Sequence, residues 1–270
     1  MRNSLFFSLV VLLALCFSTG CKSEFERIRT SGDPAVMLEK ANAYFDQGEY
    51  LKAQTLYELI ISTYRGRPEA EFIAFNYAYS YFHLEQYILA AYYFKNFAAT
   101  YGGSNKKEEA EFMHAYSNYK LSPSFRLDQT YTLKAIEAFQ EFINRYPNNE
   151  RVSECNKLID EMRQKLELKD FEAANLYFDL QQYRSAIRSY ENLLIDFPET
   201  RRAEEVRYRI TRAAYLLAQN SFVEKQEERY LEVIEKAEAF LNRYADSDYV
   251  FEVQKMLQAS HNRLKQLKDV

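Results

Sequence analysis

The chain has 270 residues, with 35 Lys and Arg against 39 Asp and Glu for a net charge of −4, and it carries 23 Tyr, 20 Phe and no Trp. That balance is unsuited to holding a polyphosphate backbone, so nucleic acid is excluded as a natural partner. Six glycines and five prolines leave little room for hairpins and loops, and no period-2 alternation persists, so the composition predicts an all-α chain.

Arg2 opens the chain, and residues Leu5 to Phe17 form an apolar run that is too short to span a bilayer but suits a secretory signal. Ser18-Thr19-Gly20-Cys21 follows. A small pair directly before a cysteine resembles a bacterial lipobox, with Ser18 standing where that pattern prefers leucine. The resemblance implies that residues 1–20 are removed, that Cys21 is lipidated and becomes the mature N-terminus, and that Lys22, in place of an aspartate, sorts the protein to the outer membrane. Several acyl chains on one cysteine hold a membrane far better than one. The alternative is an ordinary secretory signal with Cys21 incidental. Residues 21–32 are largely polar without a stripe and read as a tether. The mature chain of 250 residues has 34 basic and 39 acidic groups, a charge of −5, because Arg2 leaves. Cys16 leaves as well, so Cys155 is the one remaining thiol and no internal disulfide can form. It reads as a packed helical cysteine.

From Asp33-Pro34, an N-cap followed by proline at the first helical position, one phrase recurs. A small residue is followed four positions on by an aromatic, seven on by an apolar residue and eleven on by another aromatic. The copies are Ala53-Tyr57-Ile60-Tyr64, Ala90-Phe94-Phe97-Tyr101, Ala135-Phe139-Phe142-Tyr146 and Ala186-Tyr190-Leu193-Phe197, with a weaker fifth at Tyr230, Val233, Ala237, Phe240 and Tyr244. Steps of 4, 3 and 4 keep one stripe on one face of an α-helix, and Pro147 and Pro198 stop two of these helices. Twelve residues before three of the small residues stand Ala41, Ala78 and Ala174; in the third and fifth copies the offset is twenty, with Ala115 and Ala213, as an eight-residue insertion would give. Small residues at these points let two antiparallel helices approach closely, and Tyr44, Tyr81 and Tyr177 are placed to pack over the pair. Asp46-Gln47-Gly48-Glu49-Tyr50 reads as a tight turn in which Gly48 takes positive φ, and Gly102-Gly103 as a C-cap pair. Arg151 to Leu168 reads as an extension of the first helix of repeat four, and Ser247 to Leu267 as a closing helix.

This pattern resembles the tetratricopeptide repeat, without its tryptophan and with alanine for its glycine. The expected fold is an all-α tetratricopeptide-repeat superhelix of about five helix pairs plus a C-terminal closing helix. Residues 33–148 hold repeats one to three and 149–270 hold repeats four, five and the closing helix. A solenoid needs such a cap over its last apolar face.

In a tetratricopeptide solenoid the first helix of each pair lines the groove, at positions three before, one after and four after its small residue. Those positions are Leu38, Asn42, Phe45; Phe75, Tyr79, Phe82; Phe112, Tyr116, Tyr119; Phe171, Asn175, Phe178; and Ile210, Ala214, Leu217. Rings dominate the first three repeats, and Phe45, Phe75, Tyr79, Phe82, Phe112, Tyr116 and Tyr119 are the candidate peptide-binding groove, suited to a short apolar or aromatic peptide end. The competing reading is that the same rings pack between neighbouring helices. A basic patch, Arg201, Arg202, Arg207, Arg209 and Arg212, follows Pro198. Arg201 and Arg202, at the turn, are candidates for partner docking, and a solvated helix face is the plainer alternative. His83, His114 and His261 have no second ligand at metal spacing, and neither a phosphate loop nor a nucleophile elbow occurs. Glu108, Glu109 and Glu111 suit a helix start through its dipole. The chain reads as a non-enzyme with no cofactor and no metal.

With its lipobox and five repeats, the chain is similar to the BamD family of β-barrel assembly lipoproteins. The stretches Ser122-Pro123 and Leu127-Asp128-Gln129-Thr130, running on through Ala135-Ile136-Glu137-Ala138-Phe139-Gln140-Glu141-Phe142-Ile143 to Tyr146-Pro147, resemble that family's third repeat. Tyr215-Leu216-Leu217-Ala218-Gln219-Asn220-Ser221 resembles members of a Bacteroidetes-type lineage. The resemblance implies a periplasmic adaptor on the inner leaflet of the outer membrane. It would bind the insertase BamA and the C-terminal signals, usually ending in an aromatic, of unfolded outer-membrane proteins. The other candidate function is a tetratricopeptide lipoprotein that scaffolds peptidoglycan synthases or hydrolases.

Overall fold

A computed structural model describes residues 23–268, and Cys21 lies outside them. Twelve helices and no strand occur among the described residues: α1 (Glu24–Arg29), α2 (Pro34–Asp46), α3 (Tyr50–Ile60), α4 (Glu69–His83), α5 (Tyr87–Thr100), α6 (Lys107–Leu121), α7 (Thr130–Arg145), α8 (Val152–Asp179), α9 (Tyr183–Asp196), α10 (Ala203–Gln219), α11 (Val223–Arg243) and α12 (Val250–Lys268). The chain is all-α and built of tetratricopeptide-type helix pairs, α2/α3 through α10/α11, followed by α12. The described residues divide into two compact units: residues 23–122 with 130–155, and residues 123–129 with 156–268.

The stripe read from the sequence is the core. Ala41, Ala53, Ala78, Ala90, Ala115, Ala135, Ala174, Ala186, Ala213 and Val233 are all completely buried. Where two helices touch over alanine there is room for a large ring beside the contact, and Tyr57, Phe94, Phe139 and Tyr190 fill it, also fully buried. Burial of one such side chain contributes about 1.5–3 kcal/mol, so a single repeat is weak and neighbouring pairs stabilise one another.

Local signals explain the helix ends. The Asp33 carboxylate accepts from the N–H groups of Ala35 (2.9 Å) and Val36 (3.4 Å). After α2, Gly48 takes φ +77°, the Glu49 N–H bonds the Tyr44 carbonyl (2.8 Å) and the Gly48 N–H that of Phe45 (3.0 Å). This is the double bond of a Schellman cap. The same two bonds recur at Glu85 and Gln86, and at Gln181 and Gln182, so Glu85 (φ 58°) and Gln181 (φ 59°) occupy a left-handed position that favours glycine.

Several expectations are corrected. The tether read over residues 21–32 contains α1, capped by the Ser23 hydroxyl (3.2 Å to the Glu26 N–H), with Ile28 buried and Phe25 edge-on to Tyr44 at 5.9 Å. Gly102 and Gly103 are not left-handed; α5 ends at Thr100 with Tyr101 as its C-cap, and the Ser104 N–H closes a turn onto the Tyr101 carbonyl (2.9 Å). Tyr177 does not cover its pair but is 40% exposed. The extra length of repeat three is a loop, 122–129, whereas that of repeat five lies in its helices: α10 and α11, of 17 and 21 residues, are joined by only 220–222. In both places a buried glutamine replaces the glycine turn. The Gln129 Nε2 donates to the carbonyls of Ser124 (2.8 Å) and Leu127 (3.0 Å), and the Gln226 Nε2 to that of Ser221 (2.9 Å). Lys169 of α8 donates to Phe125 (3.1 Å) and Leu127 (2.9 Å), which ties loop 123–129 to the second unit. The sequence had placed that loop with the first three repeats.

Candidate functional site

Helices α2, α4 and α6 bring all seven groove rings into one run within the first unit. Phe45 lies 6.2 Å from His83, which stacks on Tyr50 at 4.1 Å and lies 6.0 Å from Tyr79. Tyr79 meets Phe75 at 5.0 Å. Phe82 reaches across to Tyr116 at 6.0 Å, and Tyr116 stacks on Phe112 (5.7 Å) and Tyr119 (5.6 Å). Six of the seven are half-buried. Phe112 is the exception at 5% exposure; it lies 5.9 Å from both Phe139 and Phe142 and acts as floor. Phe75 and Tyr79 likewise rest on Phe94, at 6.3 and 4.9 Å. These rings are therefore both inter-helix packing and surface, with one edge on the core and one toward solvent.

A polar frame surrounds them. The Tyr79 hydroxyl donates to Glu109, and burial together with that bond pushes its pKa far up. Glu109 pairs with Arg151 at 2.6 Å, and the Arg151 guanidinium lies 4.2 Å over the Phe112 ring. Lys106 sits 5.0 Å over Phe72 and 5.2 Å over Phe75. Sequence reading missed His83, Lys106, Glu109 and Arg151 as members of this face. One signal was available: Glu109, Phe112, Tyr116 and Tyr119 are spaced 3, 4 and 3, which places Glu109 on the ring-bearing face of α6.

Elsewhere the groove positions do other work. Asn42 accepts from the hydroxyl of buried Tyr57 (2.8 Å), and Asn175 from that of buried Tyr190 (2.5 Å). Asparagine thus stands where the buried ring carries a hydroxyl that needs a partner, and tyrosine (Tyr79, Tyr116) where it is Phe94 or Phe139. Burial pushes the Tyr57 pKa up to about 12. Phe171, Ile210 and Ala214 are buried, at 4%, 6% and 2%.

The basic patch is mostly committed within the second unit. Arg202 lies 3.7 Å from Glu167 and 4.0 Å from Glu205, and 4.8 Å over the Phe171 ring. Arg209 pairs with Glu205 at 2.8 Å, and Arg212 covers Phe178 at 5.5 Å. Of the two docking candidates only Arg201 is exposed.

The family model for the outer membrane lipoprotein YfiO matches residues 31–228. The chain belongs to the YfiO family. No curated protein matches it. Similar solved structures include the TPR2AB domain of yeast Sti1 in its pHSP90 complex, 12% identical over 84% of this chain and 98% of that one with a TM-score of 0.41. Another is a TPR-repeat protein of Bacteroides fragilis NCTC 9343, 14% identical over 86% and 99% with a TM-score of 0.39.

The YfiO match takes in the seven rings, Arg201 and Arg202, and leaves out Cys21, most of α11 and all of α12. Among the described residues no three His, Cys, Asp or Glu side chains are grouped to hold a metal ion, and no helix is long and apolar enough to cross a membrane. Burial lowers the pKa of His83 and His114, and the His114 Nδ1 lies 2.8 Å from the Ala91 carbonyl oxygen. Cys155 is buried and its thiol pushed up to about 11, which makes it a packing residue rather than a nucleophile.

Proposed function

We propose that this YfiO-family chain is a periplasmic adaptor of the β-barrel assembly machinery, anchored in the outer membrane by lipid on Cys21. In this reading it docks a BamA-type insertase through the Arg201–Arg202 turn and receives the C-terminal signal of unfolded outer-membrane proteins on the aromatic face of its first unit. Residues 215–221 point to the Bacteroidetes-type branch. The observation that carries the reading is the half-buried run of rings inside a region matched by the family of outer membrane lipoproteins. An aromatic peptide end gains about 1.5–3 kcal/mol on burial; ordering the peptide opposes part of this, so affinity on the order of micromolar suits a transient client. Arg201 is free to pair with a partner carboxylate, whereas Arg202 must first leave Glu167 and Glu205.

Co-purification from detergent-solubilised envelopes tests the reading. The insertase is expected as main partner, with lower recovery for Arg201→Glu. Recovery of peptidoglycan synthases or hydrolases in its place would overturn it in favour of a cell-wall scaffold. Fatty-acid labelling is expected for the wild type and not for Cys21→Ser.

A further inference from the structure

Within the second unit, α9, α10 and α11 enclose an open cavity of about 640 Å³ that the proposed function does not use. Its floor is apolar, formed by Leu194, Ile210 and Phe240, and Ile195 at the rim is 74% exposed. Its charges are unbalanced. Lys236 is held by Glu191 (2.8 Å) and Glu232 (3.4 Å) and so is neutralised locally. Arg207 and Arg243 also line the cavity. The Arg207 Nε is buried without a hydrogen-bond partner. Arg243 lies 5.8 Å over the ring of Tyr244. Neither guanidinium has a carboxylate of the described chain in ion-pair range. Arg207 is half-buried and Arg243 exposed, so their terminal N–H groups are open to an incoming carboxylate, which would supply the partner that the chain itself does not.

We propose that this cavity seats an acidic segment of a partner polypeptide, with a carboxylate on the Arg207 and Arg243 side and the adjoining aliphatic side chains over Ile210 and Phe240. Guanidinium is suited to bidentate pairing with carboxylate. The apolar floor favours a carboxylate carried on a peptide with aliphatic neighbours over inorganic phosphate or a lipid headgroup, and the Asn242 side chain at the cavity wall can accept a peptide N–H. The family match ends at residue 228, before Lys236, Phe240 and Arg243, so this wall lies beyond the matched region, and the inference does not depend on the insertase reading.

The test uses the mature chain carrying Cys21→Ser and two acetylated, amidated peptides, Ser-Ile-Glu-Leu-Ser and Ser-Ile-Gln-Leu-Ser, which lack aromatics and so avoid the ring-lined face. Inorganic phosphate and phosphatidylglycerol vesicles are the other probes, and binding is followed by amide chemical shifts. The glutamate peptide is expected to saturate with shifts confined to α9, α10 and α11, the glutamine peptide to bind at least fivefold more weakly, and Arg207→Gln and Arg243→Gln each to weaken the glutamate peptide at least fivefold. Arg243 is exposed, so its variant decides the matter if Arg207→Gln lowers the melting temperature. Equal binding of the two peptides, an unchanged Arg243→Gln, or saturation by phosphate or vesicles in place of peptide overturns the proposal.

Discussion

Tyr79 shows how one residue serves fold and surface together. Its ring rests on Phe94 at 4.9 Å while its hydroxyl holds Glu109, which in turn holds Arg151 over Phe112. Removing the ring therefore risks packing, whereas removing only the hydroxyl does not. We expect Tyr79→Ala with Tyr116→Ala to weaken a barrel C-terminal peptide about tenfold, roughly 1.4 kcal/mol. Loss of the peptide's last aromatic should do the same, and the two losses should not add because they remove one contact. Tyr79→Phe keeps the ring and should bind nearly as wild type. Fluorescence anisotropy of labelled peptide gives the affinities, and a thermal melt of each variant separates lost binding from lost packing. A folded double variant with wild-type affinity would make the rings core residues and place the client site elsewhere.

At the level of elements, the inter-helix turn is one device used three times with different residues. Gly48 takes the left-handed position without a steric penalty, whereas Glu85 and Gln181 adopt it at about 1–2 kcal/mol each. We expect Gln181→Gly to stabilise the second unit by about 1 kcal/mol, seen as a raised denaturant midpoint with unchanged slope. Gly48→Ala should lower the midpoint, since a Cβ there is strained whatever the space around it. A lowered midpoint for Gln181→Gly would mean that its side chain contributes more than its backbone conformation costs.

For the whole molecule, the last apolar face must be covered. Val253, Met256 and Leu264 of α12 are buried. The helix packs on both α10 and α11, its Glu252 accepts from the Tyr208 hydroxyl, and Tyr208 stacks on Tyr249 at 4.1 Å. Three buried apolar side chains contribute on the order of 5 kcal/mol. Truncation after Asp248 should therefore lower the calorimetric melting of the second unit on the order of 15 °C while leaving that of the first unchanged. An unchanged second transition would show that α12 is dispensable.

The sequence by itself determined the repeat. The 4-3-4 stripe, the paired alanines and the Asp33-Pro34 start are local in sequence, and each acts through the helix period or a cap within a few residues, so no tertiary knowledge is needed to read them. The same periodicity placed the seven rings on one face, though it could not tell that Phe112 faces the core. Tertiary structure alone decided how charges pair across helices. Arg151 reaches Glu109 and Arg202 reaches Glu167 over 42 and 35 residues of chain, and Arg207 is left facing a cavity. A charge's partner depends on which helix folds back against it, and the solenoid period, irregular here through insertions in the third and fifth pairs, fixes that only once the chain is folded.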